Sequence, residues 1–246
     1  LIGGLAGDAL TTGEMNTVLG YAALSSETAG NYSTAIGREA LFAQNNGDVN
    51  TYNVGVGFKA GTAVTTGVED TLIGGLAGSS LTTGQDNVAV GFGALNTDTK
   101  GNHSTALGHR ALVSQNFTSA TDALNTAVGF AAGAAVITGT QNTFVGALGG
   151  ASNSAANNVA MGIDAGNGIT SGITNTLIGH DAGKGISSGS YNTAVGADTL
   201  LATCTGEYNT TLGYGAGQVI TSGESNTCVG DRAGFAISSG SNLCAV

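Results

Sequence analysis

The chain is 246 residues long, with 43 glycines, no proline, 41% hydrophobic residues and only 9% charged ones. That balance is too apolar for a disordered chain and too poor in aromatics for an ordinary globular core, but it suits many short strands joined by tight turns. The net charge of −10 and six scattered basic residues exclude a phosphate-gripping nucleic-acid surface, and no transmembrane run appears.

Taken from the N-terminus, a unit of the form Asn-Thr-x-aliphatic-Gly ends at Gly3, Gly20 and Gly37, then at Gly57, Gly74, Gly91 and Gly108, then at Gly129 and Gly146, and lastly at Gly162, Gly179, Gly196, Gly213 and Gly230. Ten of the thirteen spacings are 17 residues, the signature of stacked repeats. The spacings of 20 and 21 locate two loop insertions, near residues 42–51 and 113–123, and the spacing of 16 locates one deletion. Each coil is expected to hold two short strands and two glycine-containing turns. Residues 1–246 then form a single all-β repeat solenoid, a parallel β-roll of about fourteen 17-residue coils. The chain opens and closes in mid-repeat, at Leu1 and Val246, as a segment of a longer chain would.

Equivalent residues of stacked coils lie above one another, so each column reports one environment. The residue before the anchor glycine is aliphatic or Met throughout, from Ile2 to Val229, and is expected to be the core column. The residue two before it (Leu72, Ala127, Phe144, Cys228) then points away and forms a second face needing burial. Four before the glycine stands Asn in ten of thirteen copies, the exceptions being Ser33, Asp70 and Ser104, which predicts a stacked turn ladder. Three after the glycine, Ala in twelve of fourteen copies predicts close packing.

Two further columns compensate each other. Where the fourth residue after the glycine is Leu (Leu24, Leu41, Leu95, Leu112, Leu200) the seventh is polar (Glu27, Gln44, Asp98, Gln115, Thr203), and where the fourth is Gly the seventh is aliphatic, as at Leu10, Val64, Leu81, Ile169 and Ile220. Only the shortened coil, at Gly150 and Asn153, breaks the rule. One core side chain per coil implies a narrow interior. So little burial leaves a single chain marginal, and packing against further chains is expected.

The units Asn125-Thr126-Ala127-Val128-Gly129-Phe130-Ala131-Ala132-Gly133 and Asn192-Thr193-Ala194-Val195-Gly196 resemble the Asn-Thr-Ala-Val-Gly-Tyr-x-Ala-Gly/Leu repeats of bacteriophage tail-fibre proteins and, more distantly, the β-roll heads of trimeric autotransporter adhesins. The resemblance runs the length of the chain. It implies a homotrimeric fibre on the outside of a virion or cell: a structural shaft segment of a phage tail fibre that spaces and supports host attachment, with a bacterial surface adhesin or extracellular filament as the alternative. Neither family supplies catalytic residues, so neither an enzyme nor a cofactor is expected.

The remaining candidates are surface features. Asp164, Asp181 and Asp198 share a column, which either attracts a cation such as calcium or stands as a solvated acidic stripe. His103, His109 and His180 are too far apart to build one metal site, and Cys204, Cys228 and Cys244 form neither a disulfide framework nor a zinc motif. The Thr column three before the glycine suggests ice binding, but Val54, Val88 and Val159 interrupt it, and its parity with the aliphatic column predicts partial burial. Tyr21, Phe58, Phe92, Phe130 and Tyr214, just after the glycine, are expected to pack between chains or grip sugars. Insertions in solenoids emerge as loops, which makes Phe42, Asn45, Asn46, Asn116 and Phe117 the receptor-contact candidates, for a host-surface glycan or protein.

Overall fold

The computed structural model describes residues 1–150 and 154–246. These residues are all-β, without a helix, and fall into two compact units, Leu1–Asn125 and Thr126–Val246. In the first, β1 (Thr17–Leu19), β2 (Thr34–Ile36), β3 (Val54–Val56), β4 (Thr71–Ile73) and β5 (Val88–Val90) pair in sequence. There β6 (Gly101–Asn102) precedes β7 (Thr105–Leu107), which pairs with β5, and β8 (Thr121–Asp122) returns to β6. The second unit stacks β9 (Thr126–Val128), β10 (Thr143–Val145), β11 (Val159–Met161), β12 (Thr176–Ile178), β13 (Thr193–Val195), β14 (Thr210–Leu212), β15 (Thr227–Val229) and β16 (Cys244–Ala245) in chain order. Every pair is parallel, and residues one repeat apart face each other, as Val128 faces Val145. The chain is a parallel β-solenoid built on the 17-residue period.

From β1 to β15 the ladder strands have three residues, and the second strand expected of each coil forms only beside the second insertion, as β6 and β8. Away from that strand the second residue after the anchor glycine and the fifth before it are left-handed even when they are not glycine, as at Glu39 (φ 57°) and Tyr32 (φ 62°), and such turns cannot continue a strand. The backbone still stacks through them: Gly7 N–H donates to Ala23 O at 2.9 Å, Leu24 N–H to Ala40 O at 3.0 Å, and Thr65 N–H to Thr82 O at 2.8 Å. At the anchor glycine φ is +139° at Gly20 and +132° at Gly57, and a Cβ on Gly57 would lie 2.7 Å from Gly74 O. Conformation and contact both demand glycine in that column.

The core lies on the opposite side of the strand from the sequence expectation. Val18 is 3% exposed whereas Leu19 is 44% exposed, and every ladder strand of three residues shows the same buried middle. The residue two before the glycine is therefore the core column, and both the aliphatic column and the Thr column face outward. Volume explains the inversion. An interior already holding the Ala column (Ala23, Ala40 and Ala60, fully buried) has space for Ala35, Ala89 or Ala127 at the inner strand position, and outside there is room for Ile, Leu or Met.

Larger inner residues are matched by glycine. A Cβ at Gly78 would come within 2.7 Å of the Leu72 side chain, one at Gly183 within 2.6 Å of Leu177, and one at Gly150 would strike the Phe144 ring. The compensation between the fourth and seventh positions holds in the same way: Leu24, Leu41, Leu95, Leu112 and Leu200 are buried, as are Val64, Leu81, Ile169 and Ile220. Asn153, half of its exception, lies outside the described residues. The polar seventh residues Glu27, Gln44, Asp98 and Gln115 are themselves fully buried, while Thr203 is exposed and Cys204 takes the inner place.

The Asn column forms a ladder inside the coil. Asn209 Nδ2 donates to Asn192 Oδ1 at 3.1 Å and to Gly223 O at 2.9 Å, and Asn209 Oδ1 accepts the backbone N–H and the side-chain amide of Asn226. Each amide thus satisfies a buried carbonyl of the next coil. Asp70 interrupts this chain. Its Oδ1 accepts the backbone N–H and Nδ2 of Asn87 at 2.9 and 3.1 Å, its Oδ2 is buried without a partner, and burial pushes its carboxyl up to about 8.

Candidate functional site

Both insertions are anchored by a buried polar cluster, and the two clusters are copies. Glu27, Ser33 and Gln44 recur 71 residues later as Asp98, Ser104 and Gln115. In the first, Glu27 Oε1 accepts the N–H groups of Thr28 and Gly30, while Gln44 Nε2 donates to Glu27 Oε2 at 3.1 Å and Ser33 Oγ at 2.8 Å. Asn53 Nδ2 closes the set on Gln44 Oε1 at 3.0 Å. In the second, Gln115 Nε2 donates to Asp98 Oδ2 at 2.6 Å and Ser104 Oγ at 2.9 Å, and Asn125 Nδ2 reaches Gln115 Oε1 at 2.9 Å. Ser33 and Ser104 depart from the Asn column because a hydroxyl leaves room for the incoming Gln amide.

The structure distributes the five receptor-contact candidates unequally. Phe42 and Asn45 are exposed. Asn46 is held by its backbone N–H to Glu27 Oε2 and by Nδ2 to Gly67 O, and Asn116 accepts the Thr99 hydroxyl at 3.2 Å. Phe117 is only 6% exposed, its N–H donating to Asp98 Oδ1 at 3.0 Å and its ring lying against Gly101. Its ring fills the interior beneath the insertion and is closed to a receptor.

A polar groove of about 350 Å³ lies beside the first insertion, lined by Thr12, Glu14, Asn31, Tyr32, Asp48 and Asn50. The insertion supplies Asp48 and Asn50, and Asn50 rejoins the ladder by a bridge to Asn31. Asn31 Oδ1 accepts Glu14 N–H at 2.7 Å, and Asn31 Nδ2 makes two long bonds of 3.4 Å, to Asp48 and Asn50. The Tyr32 ring stacks on Tyr52, centroids 5.1 Å apart and planes 22° apart, with the two residues 39% and 50% exposed. Sequence reasoning missed this pair because the insertion sets Tyr32 and Tyr52 20 residues apart. Counting back five from each anchor glycine, rather than forward, would have aligned them.

The second insertion, one residue longer, rejoins the stack at the corresponding place through β6 and β8 but carries different chemistry. Asn102, which matches Asn31, donates to Asp122 at 3.3 Å. His103 replaces Tyr32 and sits between Asp86 at 3.6 Å and Asp122 at 3.2 Å, with Leu124 in the place of Tyr52.

The acidic column of the second unit carries its own cation. Lys184 Nζ donates to Asp181 at 3.0 Å and Asp164 at 3.1 Å, and these bonds raise the lysine pKa. Asp198 instead groups with Asp181 and His180, their ligand atoms all within 4.8 Å of one another. These three could hold a divalent ion only at the surface, with water completing the shell. His109 stacks on Phe92 at 5.7 Å, and Arg38 lies 6.0 and 5.9 Å from the Tyr21 and Phe58 rings, so part of the column after the glycine is packed by ring and cation–ring contacts within the chain.

The outward strand face continues from coil to coil in each unit. It exposes Leu19, Ile73 and Leu107 in the first and Met161, Ile178 and Leu212 in the second, each row flanked by the Thr column. All three cysteines are free, Cys204 and Cys228 buried and Cys244 exposed. Comparisons with family models, curated proteins and solved structures found no match.

Proposed function

We propose that this chain is a non-catalytic shaft segment of a homotrimeric fibre of the phage tail-fibre kind, carried on a virion or another extracellular surface, where it spaces and supports host attachment. The observation that carries this proposal is the outward aliphatic column. A row reaching 48% exposure at Leu212, repeated coil after coil, is an apolar surface that a lone chain leaves in water. Packing three copies about one axis covers it, and cyclic symmetry makes the same patch serve every protomer. The internal Asn ladder and the acidic surface support the same reading, the first by tying coil to coil and the second by opposing clumping of the particles.

The test is the mass in solution. Light scattering on the purified chain at micromolar concentration is expected to give three times the chain mass, and a monomer would remove the trimer. Ice binding gains one supporting observation, since the Thr column faces outward with the aliphatic column. Inhibition of ice recrystallisation would favour it over the shaft, and unchanged crystal growth is the result the shaft predicts.

A further inference from the structure

We infer that the two stacked tyrosine pairs, Tyr32 with Tyr52 and Tyr191 with Tyr208, are sites of oxidative cross-linking, at which hydrogen peroxide and a haem peroxidase join each pair into dityrosine and staple neighbouring coils. Four of the six tyrosines of the chain fall in these pairs. The Tyr191 and Tyr208 rings lie 5.0 Å apart with planes 4° apart, a more nearly parallel stack than the 5.1 Å and 22° of Tyr32 and Tyr52. Both partners of each pair hold the same left-handed backbone (φ 58° and 59°, φ 62° and 52°), so the two side chains leave the coil in one direction. Backbone bonds fix them there: Tyr208 N–H donates to Ser190 O at 3.2 Å, and Thr51 N–H donates to Asn31 O at 3.0 Å. All four residues are between 39% and 55% exposed, so the phenols can give up electrons without unfolding of the chain.

The chemistry needs that arrangement. Loss of one electron and one proton from each phenol leaves two phenoxyl radicals, whose spin lies partly on the ring carbons beside the oxygen. One such carbon of each ring forms the new C–C bond, and the hydrogen on each of those carbons moves to its own oxygen, restoring two phenols. The two electrons and two protons reduce one peroxide to two waters, so the chain loses two hydrogen atoms per pair. Radicals on partners already in contact combine without a diffusional encounter, whereas isolated ones wait for a second molecule. Tyr21 and Tyr214 are controls inside the same chain, both exposed but each lying beside an arginine, Arg38 or Arg232, instead of a second tyrosine. The staples differ in what they close. The Tyr191–Tyr208 joint spans one repeat, while the Tyr32–Tyr52 joint closes a loop that contains the whole first insertion, residues 42–51. Covalent closure at either place removes freedom from the unfolded chain.

The experiment exposes the whole folded chain to peroxide and peroxidase at several protein concentrations and follows the blue fluorescence of dityrosine. Products are mapped by mass spectrometry after cleavage at Arg38 and at Glu207, which separates the partners of each pair unless they are joined. Joined peptides for both pairs, a loss of two hydrogens for each, and a rate independent of protein concentration are expected, with Tyr21 and Tyr214 coupled about tenfold less or weaker still. Tyr208→Phe keeps the ring stack but has no phenol to oxidise, and it is expected to abolish the Tyr191–Tyr208 joint while leaving the Tyr32–Tyr52 joint intact. In urea the preference for the pairs is expected to disappear, and the stapled chain is expected to unfold at a higher temperature than the untreated one. Coupling of Tyr21 or Tyr214 as readily as the pairs, a rate that rises with protein concentration, or an unchanged product in Tyr208→Phe would overturn the inference. None of those outcomes touches the shaft proposal, which stands or falls on the mass.

Discussion

Replacing Asp70 by Asn tests how the internal ladder is held together. In the neighbouring coils Asn53 Nδ2 donates to Gly67 O at 2.8 Å and Asn87 Nδ2 to Gly101 O at 3.0 Å, whereas Asp70 Oδ2 occupies the corresponding place with no partner. Burial raises the folded carboxyl from its ordinary 3.8 to about 8, opposed by the two hydrogen bonds from Asn87 and reinforced by Asp86 and Asp98. A pKa raised by folding contributes stability that is complete below about 3.8 and is lost as the pH rises toward 8, because the unfolded chain ionises first. At about 1.4 kcal/mol per pH unit, the wild type loses on the order of 4 kcal/mol between pH 4 and pH 7 through this one group. Asp70→Asn removes that loss, because the amide offers a donor at this place at every pH and never ionises. Urea unfolding of both proteins at equal concentration, at pH 4, 5.5 and 7, is expected to show near-equal stability at pH 4 and a widening advantage for the variant. Parallel pH profiles for the two proteins would refute the argument.

The other predictions concern the core, the stack and the insertions. Leu177→Ala leaves a cavity and is expected to cost about 2–5 kcal/mol in unfolding free energy, whereas Ile178→Ala on the outward side costs each chain little and, on the proposed trimer, is expected to lower the mass measured on dilution. Gly74→Ala places a Cβ 2.6 Å from Gly91 O at φ +127°, and a loss of more than about 3 kcal/mol, or failure to fold, is expected by circular dichroism. Gln115→Leu strips Asp98 Oδ2 and Ser104 of a donor at full burial. A cost of roughly 3 kcal/mol and faster proteolysis within residues 113–123 are expected, while Gln85→Leu at the surface changes neither.

The period, the insertions and the one-large-side-chain rule were legible in the sequence because each rests on spacing or on volume, and stacked copies repeat both. The side of the strand facing inward was not. Hydrophobicity normally marks the buried face, but here the inner column of Ala35, Ala89, Ala106 and Ala160 is less bulky than the outer column of Ile36, Val90, Leu107 and Met161. The better signal was the pairing of inner bulk with glycine, Leu72 with Gly78 and Phe144 with Gly150. Phe117 misled for a related reason, since a loop residue can still turn inward under its own insertion. The burial of Glu27, Gln44, Asp98 and Gln115 was hidden because polar residues read as surface until their partners, spread over 17 residues or more, are brought together.

The duplicated clusters make each insertion a transferable cassette. The acid, the serine, the glutamine and the closing asparagine belong to the loop as much as its exposed residues do, so deleting residues 42–51 alone would strand Glu27 and Ser33 without Gln44. Moving all four together lets a new loop be grafted between two coils without shifting the register above or below it. A solenoid built on this plan can change what it displays while keeping its 17-residue period.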